Sequence, residues 1–508
     1  MKKMKACVSA LLVIAILLST ALPSLASSDQ CDCGFSPVVY VSALGSADLY
    51  LDVGSPNERK IFEPESADII KLIGQLIIPL LRYFTGGDAK TFAKSLGKAI
   101  DGLMGELAMD ENGDSNPRIG TKQSLPDNPE HDPYKSYYFA YDFRIDPLLT
   151  AQDLKAYVEH VKELTGHQKV SFKASSLGGI IVMAYLDKYG HDDLDAIIFQ
   201  NCPLLGVAMA GDLFTKKLEL NSDALVSYGV QALPQIEGGI WLEPLIRLLD
   251  FVGLFETLIG FGNTLVDDIK DDLYDEMLIP IFGKMPCLWA LIPHESYEEA
   301  KELFLDESAS QIFIDRIDYY HYHIQGRTQE LLDQALQDDV RIMILAGYNL
   351  QREPFVESYM NNSDGVDDTV YNAPGAICAD IGQTLGEGYV QAVQDGHNHL
   401  SADGVIDAST CYLPENTWFI RDMLHSTAHA GHKDFYAWFL SDPQAPDVHS
   451  NPDYPQFMQN DTANERLLPL TEKPAGDSLK PPLLQAFNSF INSMEKIKNL
   501  YQITEVSL

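Results

Sequence analysis

Val170-Ser171-Phe172-Lys173-Ala174-Ser175-Ser176-Leu177-Gly178-Gly179 reads as a buried strand that runs through a sharp turn into a helix. The turn follows the pattern G-x-S-x-G, with Ala174 in the place of the first glycine. Such a turn needs small residues two before and two after its serine, because the strained backbone packs against its neighbours while lifting the hydroxyl above the sheet edge. Ala174 and Gly178 meet that need around Ser176, whereas centring on Ser175 would put Lys173 and Leu177 at the crowded positions. Ser176 is therefore the expected nucleophile. The backbone N–H of Leu177 is one expected donor to a developing oxyanion, and the loop after the first strand, at Ala43 or Leu44, should supply another.

Working outward, Pro37-Val38-Val39-Tyr40-Val41 is a short β-branched run, and strands are expected again at 137–141, 169–173 and 196–200, with helices at about 151–164 and after Ser176. Strand and helix in alternation predict an α/β fold with a mostly parallel central sheet, here an α/β-hydrolase fold. The alternation stops between about 205 and 340, where helical patterns at 241–254, 297–305, 308–321 and 328–336 predict an inserted cap. Strands return at 341–346 and 417–420, around an irregular insertion at about 351–400. A hydrolase domain over 27–440 follows, then a polar, Pro-rich linker from 441 and an amphipathic helix near 483–501.

The 508 residues carry 36 Lys plus Arg against 73 Asp plus Glu, a formal charge of −37, and 46% of them are hydrophobic. That composition excludes a disordered chain, and so negative a chain repels phosphate backbones, which sets nucleic acid aside as a partner. Residues 1–26 have the basic start, apolar run and small-residue exit of a secretory signal, with cleavage expected after Ala26 and a secreted product. The apolar stretch at 69–84 is read as a core helix rather than a lipid-facing one, which leaves at most transient contact with a lipid surface and no obligate protein partner. Six cysteines remain after the signal, too few to dominate the stability of so long a chain, and no Cys/His cluster has zinc-finger spacing.

A serine hydroxyl needs a histidine to take its proton and a carboxylate to hold that histidine, in the chain order Ser, acid, His. The expected acid is Asp403 of Asp403-Gly404-Val405, after the 341–346 strand and its insertion, with Asp407 as rival. His425, His429 and His432 follow the last strand; His425 leads as the base, His429 is second, and His432 is expected to serve structure. No cofactor is required. Oxygen-rich loops at Asp364-Gly365-Val366-Asp367-Asp368 and at Asp395, His397 and His399 suit Ca²⁺ or Zn²⁺ in donor type, though their spacing matches no EF-hand or zincin helix and the reading favours solvated loops.

In order, Pro37-Val-Val-Tyr-Val with Gly45-Ser46, Tyr141-Asp142-Phe143-Arg144, Ser176-Leu177-Gly178-Gly179, Cys202-Pro203 with Gly206, and Asp403-Gly404-Val405 resemble the motifs of lecithin:cholesterol acyltransferase and related α/β-hydrolase phospholipases and lipases. The run from Met285 to Pro293 is similar to that family's cap. The chain departs from the family at Ser42-Ala43, Ala174-Ser175 and Ala402-Asp403-Gly404-Val405, where Pro-Gly, Gly-His and Gly-Asp-Gly-Thr are common. The resemblance implies cleavage of a lipid or other hydrophobic acyl ester, with water or an alcohol as acceptor. The alternative reading is an inactive scaffold that serves as a surface or ligand-binding protein.

Overall fold

A computed structural model describes residues 33–471 except 219–263, 265, 353–355, 427, 443 and parts of 65–87. The expected signal, the 241–254 helix, the terminal helix and much of the 69–84 stretch lie outside the described residues. No described helix is long and apolar enough to cross a membrane.

Eight strands form the central sheet: β1 (Val38–Val41), β2 (Ser136–Phe139), β3 (Val170–Ser175), β4 (Leu194–Gln200), β5 (Arg341–Tyr348), β6 (Thr417–Arg421), β7 (Phe457–Asp461) and β8 (Arg466–Pro469). Their spatial order is β8-β7-β6-β5-β4-β3-β1-β2, parallel throughout except for the β7–β8 pair. The α/β class with a mostly parallel sheet is thus observed, and β7 and β8 add to it. Part of the tail expected as a linker belongs to the sheet: β7 pairs in parallel with β6, β8 pairs antiparallel with β7, and Met458 and Leu467 are buried in its core.

Both faces of the sheet are covered, which explains why its inner strands read as unbroken apolar runs. Val39, Val41, Phe172, Ala174, Ile197, Phe199, Ile342 and Ile344 pack on one face against α1 (Pro147–Thr165) and α2 (Gly178–Tyr189). In α1 the buried residues Ala151, Leu154, Val158 and Val161 recur at helical spacing; Asp146 caps its start through Leu148 N, and Gly166, at φ 72°, ends it. Ile198, Met343, Leu345, Trp418 and Ile420 face the other way, onto Phe435, Tyr436 and Phe439 of α3 (Ala430–Ser441).

The described part of the cap is helical, as its patterns predict, and has a core of its own. Phe214, Tyr274, Trp289, Tyr297, Phe304 and Phe313 are buried together, and Trp289 Nε1 donates to Gly283 O at 2.8 Å.

Candidate functional site

Ser176 follows the last residue of β3 and precedes α2, at φ 53°, a left-handed conformation that costs a serine energy and persists only where its surroundings fix it. Those surroundings are tight. A Cβ on Gly178 would lie 2.3 Å from Val41 O, and one on Gly179 would lie 2.4 Å from Cys202 Cβ. The two glycines therefore let the helix start press against the ends of β1 and β4. Ser176 itself is 8% exposed.

The loop after β1 is fastened beside this elbow. Tyr141 OH donates to Ser42 O at 2.7 Å and Ser42 Oγ donates to Phe139 O at 3.2 Å. Buried Arg144 forms a two-bonded fork with Asp142, at 2.9 and 2.6 Å, and donates to Leu107 O at 2.9 Å. The Tyr-Asp-Phe-Arg motif thus braces the loop that carries Ala43 and Leu44. Leu177 begins the helix, where backbone N–H groups lack intrahelical acceptors.

On the other side of the elbow, Gln200 and Asn201 link the serine to the histidine loop. Ser176 N donates to Gln200 O at 3.2 Å, and Asn201 Nδ2 donates to His425 O at 3.2 Å. Asn201 Oδ1 also accepts from Gly347 N at 2.8 Å, which ties the end of β5 to the same point.

His425, 8% exposed, donates from Nδ1 to Asp364 Oδ2 at 2.8 Å. The acceptor is a carboxylate, so the proton of neutral His425 sits on Nδ1 and Nε2 keeps its lone pair. Asp364 is itself held: Val366 N and Asp367 N donate to Oδ1 at 2.9 and 2.8 Å, and Asn372 Nδ2 donates to Oδ2 at 3.2 Å. Asp367 Oδ2 lies 3.7 Å from His425 Nδ1, and burial raises that carboxyl to about 7. One residue on, Asp368 pairs with buried Arg352 at 2.8 Å and accepts from Ala208 N at 2.8 Å, pinning the acid loop to the segment after β4.

Asp403, expected as the acid, is elsewhere. It accepts from Arg421 Nη1 and Tyr348 OH, both at 2.8 Å, and clamps the ends of β6 and β5 together. The partner of His425 is Asp364, in the oxygen-rich segment 364–368 that is expected to be a solvated loop. Asp407 accepts from Tyr389 OH, Ala392 N and Ser409 N, also away from His425. His429 caps α3: its Nδ1 accepts from Gly431 N at 3.1 Å and its Nε2 donates to Asn460 Oδ1, so neither nitrogen is available as a base. His432 is buried with neither ring nitrogen hydrogen-bonded, and burial lowers it to about 3, helped by neighbouring His429 and Lys173.

His397 and His399 meet Glu415 and His449. His397 Nδ1 lies 2.9 Å and His449 Nε2 2.7 Å from Glu415 carboxylate oxygens, and His399 Nε2 lies 3.0 Å from Asp395 Oδ2. The fold brings these residues into one hydrogen-bonded cluster around Glu415, just before β6 in the chain.

No family model and no curated protein matches the chain. Among solved structures, the crystal structure of the Tle4-Tli4 complex is similar at a TM-score of 0.31 and 10% identity, over 92% of this chain and 99% of that one.

Proposed function

We propose that this chain is a serine ester hydrolase or acyltransferase that works through Ser176, His425 and Asp364. The observation that carries the reading is the His425–Asp364 pair, tied through Gln200 and Asn201 to a strained serine elbow. Neutral His425 takes the Ser176 proton at Nε2 as Oγ attacks the acyl carbon, and Asp364 orients the ring and stabilises the imidazolium. The tetrahedral oxyanion accepts from Leu177 N and from the loop at Ala43 and Leu44. His425 then returns its proton to the leaving oxygen, and water or an alcohol takes the acyl group by the same steps in reverse. The ordered motifs shared with the acyltransferase and lipase family support a hydrophobic acyl ester as substrate, and residues 1–26 support secretion.

A serine-directed fluorophosphonate tests the chemistry: it should label the purified chain at Ser176 and fail on Ser176→Ala. A folded wild-type chain that takes no label favours an inactive scaffold. Nitrophenyl esters of increasing acyl length then test the substrate class, since preference for acetyl over every longer chain contradicts a hydrophobic acyl group.

A further inference from the structure

Three ligand-type atoms converge at the far end of the sheet from Ser176. Cys33 Sγ lies 3.4 Å from His131 Nε2 and 3.5 Å from His167 Nε2, and the two nitrogens are 3.0 Å apart. The residues are 98 and 36 positions apart along the chain, so no local spacing announces them. We propose that Cys33, His131 and His167 bind a zinc ion that staples the N-terminal ends of three adjacent strands.

The distances fit that ion. With Zn–N of about 2.0–2.1 Å and Zn–S of about 2.3 Å at tetrahedral angles, the ligand edges are ~3.3 Å between nitrogens and ~3.6 Å between nitrogen and sulfur. All three observed edges lie within a few tenths of an ångström of these values. His131 is also set in the right tautomer. Its Nδ1 lies 2.9 Å from Pro129 O, which only accepts, so Nδ1 carries the proton and Nε2 of the neutral ring presents a lone pair to the cluster. Phe35 stands edge-on to the His131 ring at 5.6 Å and shields it on one side. Without a metal, the same atoms have a weaker use: the Cys33 thiol donates to Phe35 O at 3.3 Å and the imidazoles share one hydrogen bond. The experiment separates these two states.

Position defines the role. Cys33 precedes β1, His131 precedes β2 and His167 precedes β3; these strands are neighbours, with Val38 in register with both Ser136 and Ser171. β2 is one of the sheet's two edge strands. A shared ion fixes that edge and the chain entering β1, while Ser176 works at the opposite, C-terminal ends of the strands. The proposed staple stands or falls independently of the proposed hydrolysis.

The test uses the full chain. Cobalt(II) added to metal-free protein should give the near-ultraviolet thiolate-to-cobalt band, which a His/carboxylate cluster such as that at Glu415 cannot give. The band should vanish in both the His131→Ala/His167→Ala variant and Cys33→Ser, and survive in His397→Ala/His449→Ala. In wild type, chelation should raise alkylation of Cys33 several-fold, with zinc reversing it, and should lower the thermal midpoint; this arm needs no variant to fold. Absence of the cobalt band, or a band that survives loss of both histidines, overturns the proposal, as does Cys33 alkylation that chelation and zinc leave unchanged.

Discussion

Asp364→Asn and Asp403→Asn form a pair whose effects should run in opposite directions. In Asp364→Asn the new side chain has one oxygen and one NH₂ to place. With its oxygen toward Val366 N and Asp367 N it keeps both backbone bonds and turns its NH₂ toward Asn372 Nδ2 and His425 Nδ1. The reverse placement opposes two backbone N–H groups with a donor, so the first wins by roughly one hydrogen bond, about 1–3 kcal/mol. The amide then donates to His425 Nδ1, which drives the ring proton to Nε2, where it blocks the acceptance of the serine proton. A triad with the wrong tautomer loses about 10⁴ in turnover, or ~5.5 kcal/mol of barrier, while the fold stays near its wild-type stability. Asp403→Asn instead strips the charge from a pair whose side chains are 7% and 6% exposed. The amide oxygen still accepts, and Asp422 Oδ2 remains 3.8 Å from Arg421 Nε, so the cost lies near the low end of the roughly 3–5 kcal/mol range for breaking a buried pair. Nitrophenyl ester turnover should therefore collapse in Asp364→Asn at nearly unchanged thermal midpoint. Asp403→Asn should lower the midpoint by several degrees and keep turnover per folded molecule within a few-fold of wild type. The reasoning is refuted if Asp403→Asn abolishes turnover in folded protein while Asp364→Asn does not.

His425→Ala should remove turnover, whereas His429→Ala should keep it and cost about 0.5–2 kcal/mol of stability through the lost cap on α3, read by urea denaturation. Gly178→Ala, whose Cβ would meet Val41 O at 2.3 Å, should lower the thermal midpoint and abolish labelling by a serine-directed probe, since something at the elbow must shift. Lys173, lying over the Tyr436 and Tyr40 rings at 4.5 and 5.5 Å, is lowered by burial, and secondarily by Lys433, from 10.5 to about 8. Between those values the unfolded chain binds the more protons, so stability rises with pH; the cost of the buried charge is full below pH 8 and gone above 10.5. Lys173→Met should flatten that rise, measured as the difference between wild-type and variant urea midpoints across the window.

The elbow was legible in the sequence because everything that defines it is local. Ala174, Ser176, Gly178 and Gly179 lie within six residues, and the crowding that requires the glycines follows from their place between a strand and a helix. The carboxylate partner of His425 was not legible, because Asp-Gly-Val occurs twice, at 364–366 and at 403–405. Both copies follow β5 and precede the histidines, so chain order admits both. What separates them is three-dimensional: Arg421 and Tyr348 take Asp403, leaving Asp364 against His425. His429 was separable only by a cap bond and a partner, Asn460, from a strand that the polar tail concealed. The Cys33 cluster left no trace for the same reason, since its spacing is set by the sheet.

β1, β2 and β3 connect the two ends of the molecule. Val41, at the C-terminal end of β1, is the residue whose carbonyl limits Gly178, and Tyr141, just past β2, holds Ser42. The other ends of these strands begin beside Cys33, His131 and His167. A parallel sheet fixes its strands mainly through hydrogen bonds along their length, and β1, with only four residues, has few of them. Its register against β3 is set by Val39 and Val41 packing on one core face, and its ends carry further ties: the Tyr141 hydroxyl at one and the proposed ion at the other. Sliding β1 by one residue would turn Val39 and Val41 from one core face to the other and would move the carbonyl that Gly178 is shaped to meet. The serine elbow is accordingly packed against strands whose far ends begin beside Cys33, His131 and His167.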